Sequence, residues 1–190
     1  MRKWKRVETA DGARFRSALD SHEAALLKNL VASMIDLLDE RESSSPHDEL
    51  EQITGMKTGN SEPPDNATLQ RLLPDFAKPN DDPDEDTDSL NAALRSLHEP
   101  SIIDAKKVAA QQLLDTLPDG GGKLELSEDV AHAWTSAVND LRLALGTMLD
   151  IRPDGPDRLP DDHPMAAHLD VYQWLTVLQE YLVVALMDSR

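Results

Sequence analysis

Apolar residues recur along this chain with two different periods. In the first twenty residues, "MRKWKRVETADGARFRSALD", large apolar side chains alternate with charged ones. Alternation of period two predicts strands, and Asp11-Gly12 between them predicts a tight hairpin turn. With those two residues as the loop, Thr9 faces Arg14, Val7 faces Arg16 and Lys5 faces Ala18. On the other face Glu8 meets Phe15 and Trp4 meets Leu19. Trp4, Phe15 and Leu19 then point inward, while Lys3, Lys5, Arg14 and Arg16 point to water.

From residue 20 onward the period lengthens. "DSHEAALLKNLVASMIDLLDERE" places Leu27, Leu30, Val31, Met34, Ile35 and Leu38 on one helical stripe, with Asp20 or Ser21 as cap. "SSPHDELEQITG" predicts a short helix with Ser45 as cap, Pro46 in its first turn and Gly55 as terminator. A further short turn is expected at "NATLQRLLP". "SLNAALRSLHEP" and "SIIDAKKVAAQQLLDTL" are helical and separated or kinked by Pro100, with Leu113, Leu114 and Leu117 facing inward. "KLEL" (123–126) can add a third strand to the hairpin, which alone is marginal. Ser127 then caps a helix whose stripe is Trp134, Val138, Leu141, Leu145 and Met148. Beside it run Ala133, Ala137 and Ala144, small enough to admit a neighbouring helix closely.

The last segment, "VYQWLTVLQEYLVVALM" (171–187), is apolar on nearly all sides apart from Gln173, Thr176 and Glu180. That predicts either the central helix or a subunit interface, compatible with a homodimer. It is too short and too polar for a membrane span. The fold expected is mainly α: one domain over 1–190, a helical bundle with a small antiparallel sheet at the amino end. Residues 1–19 form the hairpin, and 77–88 and 152–164 form acidic, proline-broken loops.

Composition narrows the function. There is no Cys, so disulfides, thiolate metal sites and cysteine nucleophiles are excluded, as a reducing cytoplasm would favour. The basic start lacks an apolar run behind it, so no secretory signal is expected. Three Trp, two Tyr and two Phe leave aliphatic side chains to fill the core. Net charge is −17, yet six of the nineteen Lys and Arg residues fall within residues 1–16. Such a surface repels nucleic acid and anionic lipid except at that patch.

Arg2, Lys3, Lys5, Arg6, Arg14 and Arg16 are therefore the candidate contact residues. Three readings stand side by side. The charges guard an exposed strand edge against aggregation; they dock a protein partner or the chain's own acidic loop; or the ribbon enters a DNA groove.

Catalytic signatures are missing. "HEAAL" lacks the second His of a zinc motif, and His163 and His168 are poorly spaced for one metal. "DDPDEDTD" lacks the Gly and terminal Glu of a calcium loop. "GGGK" is followed by Leu124 where a phosphate loop needs Ser or Thr. The expectation is a non-enzymatic protein without cofactor or metal. The polar insertion "NDLRLALG" (139–146) is read as structural. Asn139, Asp140 and Arg142 form a buried network with Gln179 and Glu180 of the last helix and set how the two helices register.

"RLLPD" (71–75), "AWTSAVNDLRLALGTMLDI" (133–151) and "YQWLTVLQEYLVVAL" (172–186), with "MRKWKR" and "HEAALLKNL", together resemble an actinobacterial family. Its members were formerly described only as a domain of unknown function, now the AosR-like oxidative-stress regulators. The likeness runs through nearly the whole chain in order, and its motif residues fall on Arg71, Leu73, Pro74, Asp75, Trp134, Asn139, Asp140, Arg142, Gly146, Gln179 and Glu180. The resemblance implies a cytoplasmic transcription regulator that works with a sigma factor on cysteine-biosynthesis genes. It also implies a thiol switch, for which this chain has no cysteine.

Overall fold

Residues 2–45, 57–78, 86–151, 160 and 162–188 are described by the computed structural model. Strands β1 (Lys5–Thr9) and β2 (Gly12–Leu19) lead into helix α1 (Ser21–Ser43), and α2 (Ala67–Leu72) and the long α3 (Thr87–Thr116) follow. Strand β3 (Gly122–Ser127), α4 (Glu128–Met148) and α5 (Ala166–Met187) complete them. The fold is mainly helical with one three-stranded antiparallel sheet of order β1-β2-β3. The helix predicted from Pro46 to Gly55 lies outside the described residues, as does most of the two acidic loops.

The hairpin forms with a register two residues away from the predicted one. Lys5 pairs with Arg16, Arg6 with Phe15, Val7 with Arg14 and Thr9 with Gly12. The loop residues are thus Ala10 and Asp11, not Asp11 and Gly12. Only Gly12 takes a positive φ (100°) there, and Thr9 Oγ1 donates 2.7 Å to the Gly12 carbonyl to close the turn. Because the shift is even, every side chain stays on its predicted face. Trp4, Phe15 and Leu19 are buried, as is Ala13, while Lys3, Lys5 and Arg16 are exposed.

β3 pairs along the other side of β2, with Phe15 opposite Leu126 and Leu19 opposite Gly122. The "GGGK" turn that introduces it runs against the start of α1. A Cβ on Gly121, whose φ is +83°, would lie 2.5 Å from the Asp20 carbonyl carbon. Asp20 itself caps α1: its carboxylate accepts from the His22 and Glu23 backbone N–H groups. Its own N–H donates to Glu23, a complete capping box.

Pro100 does not divide α3, which runs continuously through it. Proline lacks an N–H, so the Ser96 carbonyl four residues earlier loses its helical partner. The Gly59 N–H takes that place at 2.8 Å.

The expectation that the last helix is central is corrected. α4 touches α1, α2, α3, α5, β2 and β3, whereas α5 packs on α4 and the first two strands. The reason lies in α4's own stripe. Ala131, Trp134, Ala137, Val138, Leu141 and Leu145 are all buried, and the small alanines admit helices on several sides. α5 buries Leu169, Leu175, Leu178, Leu182 and Ala185 but leaves Val177, Val184 and Met187 exposed. Among the described residues no helix is long and apolar enough to cross a membrane.

Candidate functional site

The amino-terminal ribbon is two-sided because alternation sends odd and even residues to opposite faces. Trp4 stands edge-on to Trp134 of α4, with ring centroids 5.6 Å apart and planes at 78°. Phe15 is fully buried behind it, and the Arg6 guanidinium covers its ring at 6.0 Å. This inner face anchors the ribbon to α4. The Arg2 N–H to Ala18 carbonyl bond (3.1 Å) and the Ser17 hydroxyl on the Arg2 carbonyl extend the pairing beyond β1.

The six candidate contact residues fall into two groups. Arg6 is paired with Glu8 at 2.8 Å, and that bond is the main reason its pKa is raised. Arg16 is paired with Glu125 of β3 at 2.6 Å. Arg2, Lys3, Lys5 and Arg14 have no carboxylate partner among the described residues. Lys3 lies 5.0 Å from the centre of the Tyr181 ring, and Arg14 donates to the Ala13 carbonyl. The unpaired positive charge therefore sits on the outer face and free edge of the hairpin.

Beside that edge runs a groove of about 530 Å³. Lys3, Trp4, Lys5 and Arg6 form one wall and Glu180, Tyr181, Val184, Ala185 and Asp188 of the α5 end form the other. Trp4 is 6% exposed, and its Nε1 is buried without an acceptor.

The predicted polar network is divided by the structure. Arg142 donates to the side-chain oxygen of Gln179 and, at 3.0 Å, to the Thr176 hydroxyl, and lies over the Tyr172 ring at 5.6 Å. Gln179 Nε2 returns a bond to the Thr135 carbonyl at 3.2 Å. Those contacts tie α4 to α5. Asp140 faces the other way and accepts 2.7 Å from Lys106 of α3. Burial raises its pKa, and Lys106 opposes the rise. Asn139 is half-buried and Glu180 lies on the groove, so neither joins Arg142.

A second buried charge cluster has no counterpart in the sequence reading. Arg95 and Glu99 of α3 are each 2% exposed and bonded at 2.7 Å. Arg41 of α1 reaches the same carboxylate at 2.7 Å and the Glu62 carbonyl at 2.6 Å. Arg95 also donates to the Leu73 carbonyl and to Asp75. Two arginines and two carboxylates thereby fasten α1, α3 and the segment after α2. Its only sequence signal is the i,i+4 spacing of Arg95 and Glu99, common on any helix surface. Among the described residues no three His, Asp or Glu side chains converge to hold a metal ion.

Comparison with known proteins gives the chain's family. Residues 1–186 match the family described as "Domain of unknown function (DUF2017)". "Oxidative stress regulator AosR" of Mycobacterium tuberculosis (strain ATCC 25618 / H37Rv) is 68% identical over 196 residues, covering 100% of this chain and 90% of that protein. The protein of the same name from Mycobacterium bovis has the same identity and coverage. A Mycobacterium leprae relative is 64% identical, again over the full chain. No solved structure matches. With both the family match and these relatives spanning it from end to end, the chain belongs to the DUF2017 family of AosR oxidative-stress regulators.

Proposed function

We propose that this protein is a non-enzymatic, cytoplasmic regulator of transcription under oxidative stress that acts by protein contact through its amino-terminal hairpin. The observation that carries the reading is the segregation of charge. On a chain of net charge −17, Lys3, Lys5 and Arg14 stand on one anchored ribbon without acidic partners among the described residues. Its relatives' names supply the stress response, and a sigma factor is the partner class the family resemblance suggests. The lack of cysteine places oxidant detection outside thiol chemistry in this chain, in methionine oxidation or in the redox state of the partner.

Sigma-factor recovery on the native chain, compared with a Lys3→Ala/Lys5→Ala/Arg14→Ala variant, tests the reading. Lys3 and Lys5 are exposed and Arg14 is half-buried with one bond to the Ala13 carbonyl, so a thermal melt confirms that the variant folds before recovery is compared. Loss of the partner from the variant is expected, and equal recovery by both proteins overturns it.

DNA contact by the same ribbon is the second reading, favoured by the cationic outer face and opposed by the acidic bulk. It requires a gel shift that weakens steeply with salt and vanishes in the triple variant. Failure to shift promoter DNA at low salt rejects it.

A further inference from the structure

We infer that the groove between β1 and α5 is a strand-addition site for an extended segment of a partner protein, one that alternates acidic and apolar residues. This deepens the protein-contact reading above and rests on it. Among the described residues β1 has β2 on one side only, so alternate backbone N–H and C=O groups along Lys5–Thr9 face away from the sheet. An edge of this kind is a template for one more strand.

The walls define what that strand must look like. Its side chains on the outer face would lie beside Lys3 and Lys5, neither of which has a carboxylate partner among the described residues. Acidic residues fit there. Those on the inner face would meet α5, where Glu180, Val184 and Asp188 follow one another at a spacing of four and form a single row. Val184 is 59% exposed in the middle of that row, flanked by the two acids. An apolar residue fits at its centre, and acids there are repelled. Alternation supplies both requirements from one strand.

Charge also argues against a second copy as the occupant. A second β1 carries a single acid, Glu8, already paired with Arg6, so it brings no row of carboxylates to Lys3 and Lys5.

A fluorescein-labelled hexapeptide alternating Glu and Val is the probe, titrated into the full chain by anisotropy with backbone hydrogen exchange read in parallel. Saturable binding is expected, with slowed exchange confined to β1. Methylating the peptide nitrogens on one edge removes its donors without touching charge and should weaken binding about tenfold. Val184→Arg and Lys5→Glu, both at exposed positions, should each do the same. No saturable binding, or equal affinity for the methylated peptide, overturns strand addition. So does a dimer whose β1 amides are protected without peptide, or displacement of the peptide by duplex DNA at physiological salt. The two proposals separate cleanly: if Lys5→Glu loses the partner protein while Val184→Arg keeps it, the hairpin contact stands and the groove does not.

Discussion

Gly59 and Pro100 are shaped to one another. A Cβ on Gly59 would stand 2.8 Å from Pro100 Cδ and 3.3 Å from the Arg95 carbonyl oxygen, so only glycine brings its N–H to the carbonyl that the proline leaves open. Gly59→Ala should cost about 1–3 kcal/mol through overpacking. Removing the ring as well, in Gly59→Ala/Pro100→Ala, should recover part of that loss. A double-mutant cycle by urea denaturation measures the coupling, and strict additivity would contradict the fit.

The Glu99 carboxylate holds Arg95 and Arg41 together inside the bundle. Glu99→Ala leaves two guanidinium groups buried with too few acceptors and should destabilise by about 3–5 kcal/mol. Glu99→Gln keeps an acceptor oxygen and should lose less. The urea midpoint should therefore fall in the order wild type, Gln, Ala.

Trp4 and Trp134 meet edge to face but differ in one bond. Trp134 Nε1 donates 2.8 Å to Thr116 Oγ1, whereas Trp4 Nε1 has no partner among the described residues. Replacing each by Phe removes similar apolar area. Trp134→Phe should lose about 1 kcal/mol more than Trp4→Phe, the net worth of its hydrogen bond. Thermal melts of the two variants side by side settle the difference.

Acidification should act with opposite signs at different carboxylates. Asp20 is lowered from 3.8 chiefly by the Glu23 backbone bond, and Glu42 from 4.5 chiefly by its bond to Lys57 and then Lys107. Each contributes stability above its unfolded value that is lost as pH falls through its folded value, in the range below about pH 4. Asp140 is raised from 3.8, so the folded chain gains a proton there first and stability rises as pH falls through that raised value. Asp140→Asn should remove this gain. The advantage of the wild type over the variant should grow as pH falls toward the ordinary carboxylate value of 3.8 in urea titrations. A pH-independent gap would mean that burial does not govern the group.

The faces of the hairpin were legible from alternation, but its register was not. Asp-Gly is a strong turn signal, and the competing closure by the Thr9 hydroxyl on Gly12 differs from it by two residues. That shift moves no side chain to another face, so burial patterning cannot distinguish the two. The stripes of α1 and α4 were legible because each helix is amphipathic on its own, although Met148, expected at the end of the α4 stripe, is exposed. α5 misled for the complementary reason. High apolar content predicts burial, yet Val177, Val184 and Met187 remain exposed, and the small alanines of α4 were the better sign of the centre. Asp140 announced that it needed a partner without naming it, since Lys106 arrives from a helix 34 residues earlier. The Arg41–Glu99–Arg95 cluster was hidden because three separate segments build it and none is unusual alone.

The sheet joins two segments far apart in the chain. β2 takes its second neighbour from residues 122–127, and the Arg16–Glu125 ion pair spans 109 positions. Closing so long a stretch of chain before the pairing is made costs entropy and slows folding. A ligand that requires the finished ribbon ignores nascent and truncated chains. The proposed hairpin contact would in this way depend on a fold that reaches at least to β3.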